Sequence, residues 1–276
     1  MRLNQNMDSL NIYSRYKKNL SVQSKIMNRI STGSKINSSK DNPNKLGVRE
    51  NLRIQLRGLQ MAERNIQDGI SMLQAADGVL ASISESLIRI KELAVQAGGA
   101  NNENDLQIIQ NEISQIKDGI DQMASNAEFN GVKLLNDKTS DNTNPNTLKH
   151  MVGANVGEVM EIPLYDISSE NLFGENLDVT KDLGKSLEVV DLAINTINSV
   201  RSKYGAIQSR METTYDNMGG TTYNLQSAES RISDTDVALE MADFARTSIL
   251  SETSMALMHQ TNKFPQDVLR VLENMK

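Results

Sequence analysis

Cysteine is absent from this chain of 276 residues. That excludes a disulfide scaffold, a thiolate metal site and a cysteine nucleophile together. Tryptophan is absent too, and aromatic residues make up only 4%. A compact core built on large rings is therefore not expected. The two histidines, His150 and His259, lie far apart in the sequence, which argues against a histidine metal site or a catalytic triad. No His-Glu-x-x-His occurs, so the zincin chemistry is missing as well. With 4 Pro and 16 Gly, turns are few for this length. No run of about 18 apolar residues occurs, so nothing is expected to span or insert into a membrane. The first residues, Met1-Arg2-Leu3-Asn4-Gln5-Asn6, lack the apolar stretch and small-residue cleavage site of a Sec-type leader. What remains is the composition of long solvated helices, with no cofactor site in view.

The charge is unevenly spread. Residues 1–43 carry eight Lys/Arg against two Asp/Glu, while the chain as a whole has a net charge of −6. The basic residues Arg15, Lys17, Lys18, Lys25, Arg29, Lys35 and Lys40 are scattered among Ser and Asn. They form no sequence-reading module, so nucleic acid is not an expected partner.

Heptad repeats dominate the remainder. Leu52, Leu59, Ile66, Leu73, Leu80, Leu87 and Ala94 are each seven apart. Ala62, Gly69, Ala76, Ile83, Ile90 and Ala97 follow most of them by three. Both sets fall on one helix face, which must be buried against another helix. The small members Ala62, Gly69 and Ala76 would let that partner approach closely. A second seam runs through Leu106, Ile109, Ile113, Ile116, Ile120, Met123 and Ala127. Gly98-Gly99 and Asn101-Asn102-Glu103-Asn104 separate the two seams and predict a tight antiparallel reversal.

The third seam is the longest: Val190, Ile197, Tyr204, Met211, Met218, Leu225, Ile232 and Leu239, with Ala193 to Ala242 three residues on. No Pro interrupts residues 186–264, which predicts one rod of roughly 120 Å. Gly219-Gly220 could bend it without stopping it. Asp234 and Asp236 are expected on its polar face rather than at a cation site. At the N-terminal end Tyr13, Leu20 and Met27 are seven apart, with Tyr16 and Ile30 at +3. Thr32-Gly33 and Asn42-Pro43 should end and restart the helix. Between 130 and 185 the period changes. Phe129-Asn130-Gly131 is a turn signal, 137–147 is a polar loop, and residues around Val152–Leu164 read as two short strands about a Gly/Asn turn. That pair is the single β element expected. The 14 Met residues, several at seam positions such as Met27, Met123, Met211 and Met218, suit an adaptable surface or fill gaps. The expected fold is mainly α: an antiparallel coiled-coil bundle of long helices from both chain ends, with a small β-hairpin region in the middle. Helical stability in water comes mainly from packing, so terminal helices with unpartnered apolar faces point to assembly.

Several segments resemble the bacterial flagellins. They are Arg29-Ile30-Ser31-Thr32-Gly33-Ser34-Lys35-Ile36-Asn37, Arg57-Gly58-Leu59, Asn65-Ile66-Gln67-Asp68-Gly69-Ile70-Ser71 and Arg89-Ile90-Lys91-Glu92-Leu93-Ala94-Val95-Gln96. Further along come Glu128-Phe129-Asn130-Gly131-Val132-Lys133-Leu134-Leu135, Tyr204-Gly205-Ala206-Ile207-Gln208-Ser209-Arg210 and Ser230-Arg231-Ile232-Ser233-Asp234-Thr235-Asp236. Asp41-Asn42-Pro43-Asn44-Lys45 departs from the family's Asp-Asp-Ala-Ala-Gly-like stretch, and the long variable outer domains are missing.

The resemblance implies a structural subunit that polymerises into the flagellar filament for motility, secreted through the flagellar export channel. It implies an inner layer of residues 1–43 with 237–276, and a second layer of 44–236. The helices of the inner layer would polymerise through Leu10, Tyr13, Leu20, Met27, Ile30, Leu250, Leu257 and Phe264. Implied partners are further copies of the chain, an export chaperone on the C-terminal helix, filament cap and junction proteins, and the vertebrate sensor Toll-like receptor five. The receptor surface would comprise Arg89, Glu92, Leu93, Gln96 and Glu112, with Leu93 as an exposed apolar anchor. Ile88 stands where the family often has Gln. A hook–filament junction adapter is the alternative reading, and a chemoreceptor-like signalling rod a weaker one.

Overall fold

The computed structural model describes residues 6–99, 102–136, 145–174 and 177–273. Among them the elements run α1 (Met7–Thr32), α2 (Pro43–Ala97), α3 (Glu103–Asn126), β1 (Glu128–Phe129), β2 (Val132–Lys133), β3 (Thr147–Met151), β4 (Val159–Pro163), α4 (Ser169–Phe173), α5 (Leu183–Ser233) and α6 (Val237–Glu273). The fold is mainly helical with a small β region between α3 and α4, as the periodicity predicts. Asn101 and residues 137–144 of the expected polar loop lie outside the described residues.

Two compact units divide the chain. One holds residues up to 54 and from 224 onward, the other residues 55–223. The division expected at 43/44 and 236/237 coincides with the first residues of α2 and α6, whereas the units divide inside α2, after residue 54, and inside α5, after residue 223.

The second unit has its own core, shared by α2, α3, α5 and the β region. The α2 seam is buried from Ala62 and Ile66 through Ile83, Leu87 and Ile90 to Ala97. From α3 come Ile109, Ile113, Ile120 and Ala124; from α5, Val190, Ala193, Ile197, Val200, Tyr204 and Met211. Each large aliphatic side chain so buried contributes about 1.5–3 kcal/mol. Gly69 permits the approach its place in the seam suggested: a Cβ there would stand 3.1 Å from His150 Nε2 and from Met211 Sδ. The imidazole of His150 in turn bonds the Asn65 carbonyl. Polar pairs flank the core, with Arg201 Nε donating to Asp77 Oδ1 at 2.8 Å and the Tyr204 hydroxyl to the Pro163 carbonyl at 3.0 Å. Burial raises the Tyr204 pKa, with Tyr165 adding to it.

Two sequence expectations need correction here. The first concerns β structure, because there are two hairpins. The hairpin expected in Val152–Leu164 begins earlier, pairing β3 at Thr147–Met151 with β4 at Val159–Pro163, so Val152 follows the first strand instead of forming it; Leu148 lies opposite Ile162 and His150 opposite Met160. Asn130-Gly131 is itself the two-residue loop of another, pairing Glu128 with Lys133 and Phe129 with Val132. Both loop residues have positive φ, 50° and 79°, as a tight hairpin requires. The second concerns the rod, which is two helices. α5 passes through Gly219-Gly220 but stops at Ser233, and α6 starts afresh at Val237 and continues through Pro265. The break arises because Asp236 caps α6, accepting from the backbone N–H of Ala238 and Leu239 at 3.0 and 3.3 Å. Asp234 accepts from the Ser230 hydroxyl at 2.6 Å. These carboxylates therefore end one helix and begin the next rather than decorating one continuous face.

Candidate assembly surface

The first unit is built on α1 and α6, which run antiparallel. Asn6 caps α1 by accepting from Ser9 N–H, and its Nδ2 donates to the Thr261 carbonyl at 3.1 Å. At the other end Arg29 Nη1 meets Glu240 Oε1 at 3.3 Å. Between these points α1 turns Ser9, Ile12, Tyr16, Asn19, Gln23, Ile26 and Ile30 inward. α6 turns in Glu240, Phe244, Thr247, Ser251, Ser254, Met258 and Thr261. The steps are threes and fours throughout, so this is a coiled-coil seam. It is mostly small and polar on the α6 side. The hydroxyls of Thr247, Ser254 and Thr261 donate to carbonyls of their own helix.

Ile12, Tyr16, Ile26, Ile30, Phe244 and Met258 are the large apolar residues of this seam, and many others stay outside it. Leu10, Tyr13, Leu20 and Met27 of α1 and Leu250, Leu257 and Phe264 of α6 are between 45% and 60% exposed. Ile30 is half-buried. Leu250, Leu257, Phe264 and Val271 repeat every seven residues, as do Tyr13, Leu20 and Met27. Each terminal helix therefore carries a second, exposed heptad stripe beside the buried one. Exposed apolar side chains repeated along one face in this way mark an interaction site. The sequence grouped Tyr13, Leu20 and Met27 with Tyr16 and Ile30; the structure leaves the first three exposed and puts Tyr16 and Ile30 in the inward seam with Ile12 and Ile26.

A backbone clasp joins the two helices. Gly33 closes α1 with φ 65°, a conformation that costs a residue with Cβ. The next residues pair with the α5–α6 junction: Lys35 N–H donates to the Ser233 carbonyl at 2.6 Å and Thr235 N–H to the Gly33 carbonyl at 3.1 Å. Ser34 and Asp234 form the bridge between them. The segments 29–37 and 230–236, remote in sequence, thus meet in one place. The Asn42-Pro43 departure is a helix start, with Asn42 Oδ1 accepting from Lys45 N–H at 3.1 Å and Pro43 as the first helical residue. Asp41 closes the intervening loop. The backbone N–H groups of Ser38 and then Asn37 hold its carboxyl below the usual range.

The expected receptor surface lies in the second unit and is partly as expected. Arg89 Nη2 reaches Glu112 Oε1 at 3.0 Å and Nη1 reaches Glu92 Oε2 at 3.3 Å, all three side chains exposed. Gln96 is exposed as well. Leu93 is not: it is only 2% accessible and belongs to the core. A helix surrounded by neighbours buries a stripe wider than its strict seam, and Leu93 flanks that seam. The exposed apolar residues beside the Arg89 cluster are instead Ile88 and Val95, which with Lys91 and Glu92 line a shallow surface depression. Among the described residues no cluster of His, Cys, Asp or Glu is arranged to hold a metal ion.

Comparison with known proteins agrees with this architecture. Residues 3–140 match the bacterial flagellin N-terminal helical region, and residues 187–272 match the C-terminal helical region. The flagellin of Bacillus subtilis (strain 168) is 38% identical over 303 aligned positions, covering 99% of this chain and all of that protein. The chain belongs to the bacterial flagellin family. A flagellar filament 33 kDa core protein of Treponema phagedenis is 36% identical over 92% of this flagellin and 93% of its own length. A putative flagellar hook-associated protein of Vibrio parahaemolyticus shares the fold, with a TM-score of 0.58, at 14% identity over 70% of this chain and all of that one. The flagellins are structural filament proteins, and no enzymatic function attaches to this one.

Proposed function

We propose that this flagellin is the structural subunit of a bacterial flagellar filament, and that it polymerises with copies of itself outside the cell through the exposed stripes of α1 and α6. The observation that carries the reading is the division of labour on the terminal helices. Their intramolecular seam takes in Ile12, Tyr16, Ile26, Ile30, Phe244 and Met258 beside small polar groups, while Leu10, Tyr13, Leu20, Met27, Leu250, Leu257 and Phe264 remain uncovered. Neighbouring copies supply the missing cover. The junction-adapter reading has fold likeness behind it at 14% identity, against 38% over the full length of a flagellin. Seeding purified protein with filament fragments tests the choice, since a subunit extends them into long filaments and an adapter does not.

Finer parts of the reading follow from it. Residues 1–43 with 237–276 form the inner filament layer and 44–236 the layer around it. The chain leaves through the flagellar export channel unfolded, a route compatible with the absence of cysteine. An export chaperone covers residues 242–272 and competes with polymerisation, because it occupies the exposed stripe of α6. Cap and junction proteins meet the same ends. Toll-like receptor five binds the exposed cluster of Arg89, Glu92, Gln96 and Glu112, with Ile88 and Val95 in the apolar role first assigned to Leu93. Loss of chaperone binding on deletion of 242–272, and weaker receptor binding by Arg89→Ala, are the corresponding tests.

A further inference from the structure

The two exposed stripes can form one surface only if α1 and α6 are held in one axial register. Part of their shared seam does little to choose it. On α6, Thr247, Ser254 and Thr261 are seven apart, alike in size, and already bonded to carbonyls of their own helix, so a slip of seven residues would exchange them like for like. Phe244, Ser251 and Met258, also seven apart, differ in size but carry no charge. Glu240 is the exception. It is the one buried carboxylate of α6 between 240 and 261; Asp243 is half-buried and paired with Arg246 at 3.1 Å. Its residue is 8% accessible, and it accepts from Arg29 Nη1 at 3.3 Å and from the Thr235 hydroxyl at 3.2 Å. A buried carboxylate is tolerable only against a counter-charge, and removing one partner leaves the other stranded. A slipped register would strand Glu240.

We infer that the Arg29–Glu240 pair sets the register of α1 against α6 and so aligns the two stripes for assembly. Arg29 and Glu240 are positioning residues, since neither belongs to the exposed stripes. The pair is poorly suited to adding bulk stability, because desolvation offsets much of its attraction; fixing register is the best-attested use of such a contact. The neighbouring clasp between residues 33–35 and 233–235 ties the helix ends mainly by backbone bonds, with the Ser34 hydroxyl donating to the Ser233 carbonyl at 3.2 Å. The ion pair supplies the charge discrimination that the clasp lacks. The inference rests on the filament reading for its purpose but not for its geometry.

The chain has no cysteine, so spin labels can be placed cleanly at Ser14→Cys on α1 and Glu252→Cys on α6, both exposed positions. Pulsed electron–electron resonance then reads the distance between them in seeded filaments, with labelled chain diluted into unlabelled chain of the same variant. The wild type should give one distance. Glu240→Gln, which keeps the shape and the hydrogen bonds, and Arg29→Glu should each add a second population. Its displacement along the helix axis is about 10 Å, the rise of seven helical residues. The exchanged pair, Arg29→Glu with Glu240→Arg, should restore the single distance. One unchanged distance in both single variants would overturn the inference and assign register to the clasp alone. Failure of the wild type to extend seeds would instead count against the filament reading, and the same distances in the soluble chain would still decide the register.

Discussion

Gly69 and Met211 meet so closely that a single added methyl group would stand 3.1 Å from both the Sδ and the Cε of the methionine. Met211 is fully buried, and the His150 ring closes the same spot. The contact gives Gly69 a packing role in a helix interior, where glycine otherwise costs about 1 kcal/mol relative to alanine.

Glycine positions of the second unit should therefore respond in opposite ways. Gly205→Ala, where the added Cβ meets open space, should stabilise the protein by about 0.5–1 kcal/mol. Gly69→Val should destabilise it by about 1–3 kcal/mol through overpacking. Urea unfolding followed by circular dichroism measures both.

Removing residues 1–30 or 250–276 should leave the second unit folded and abolish filaments. Its core residues, from Ala62 to Met218, all lie between 55 and 223. The truncated chains should keep a cooperative thermal transition while failing to extend seeds under the electron microscope. Normal filaments from either truncate would refute the role given to the terminal helices.

How much of this was legible in the sequence depends on what the residues faced. The seams of α2 and α3 were readable at nearly every position, because a core packed from within one chain leaves a clean 3.5-residue repeat. The seam of α5 fades after Met218, and Leu239 and Ala242 are exposed. There the heptad count ran on across a break that only local capping reveals. The helix start at Asp236 offered a signal in the run of cap-forming residues Ser233-Asp234-Thr235-Asp236, but unbroken apolar periodicity outweighed it. On α1 the visible stripe was the outward one. The inward seam was harder to follow because Asn19 and Gln23 interrupt its apolar residues between Tyr16 and Ile26. Leu93 was misplaced for a related reason, since strict heptad positions understate the width of a buried face.

Leu93→Ala and Arg89→Ala should separate fold from surface. Leu93→Ala should cost about 2–5 kcal/mol of stability, as a large-to-small core change does. Arg89→Ala should leave the thermal midpoint nearly unchanged, because its partners Glu92 and Glu112 are exposed with it. In titrations with the receptor ectodomain, Arg89→Ala should weaken binding by about tenfold, a change characteristic of a charged anchor at an interface. Equal affinity for wild type and Arg89→Ala would remove the cluster from the functional surface and leave the filament role intact.

Acid sensitivity should include Asp178. The Thr180 hydroxyl, followed by Lys181, pulls its pKa down to about 2. A carboxyl depressed in the folded state contributes stability above its unfolded pKa of about 3.9, and that contribution is lost as pH falls from there toward 2. Thr180→Ala removes the largest cause and should raise the Asp178 pKa toward the ordinary aspartate value. Carbon-detected NMR titration of the carboxyl group reads the shift, and an unchanged titration would show that Lys181 alone is sufficient.

The most direct test of the assembly surface is seeded growth of the full chain, imaged by electron microscopy, for wild type beside Leu250→Ser/Leu257→Ser. Both positions are exposed in the subunit, so the variant should unfold at the wild-type temperature. The account predicts long filaments from the wild type and none from the variant. Filaments of equal length and number from both would contradict it.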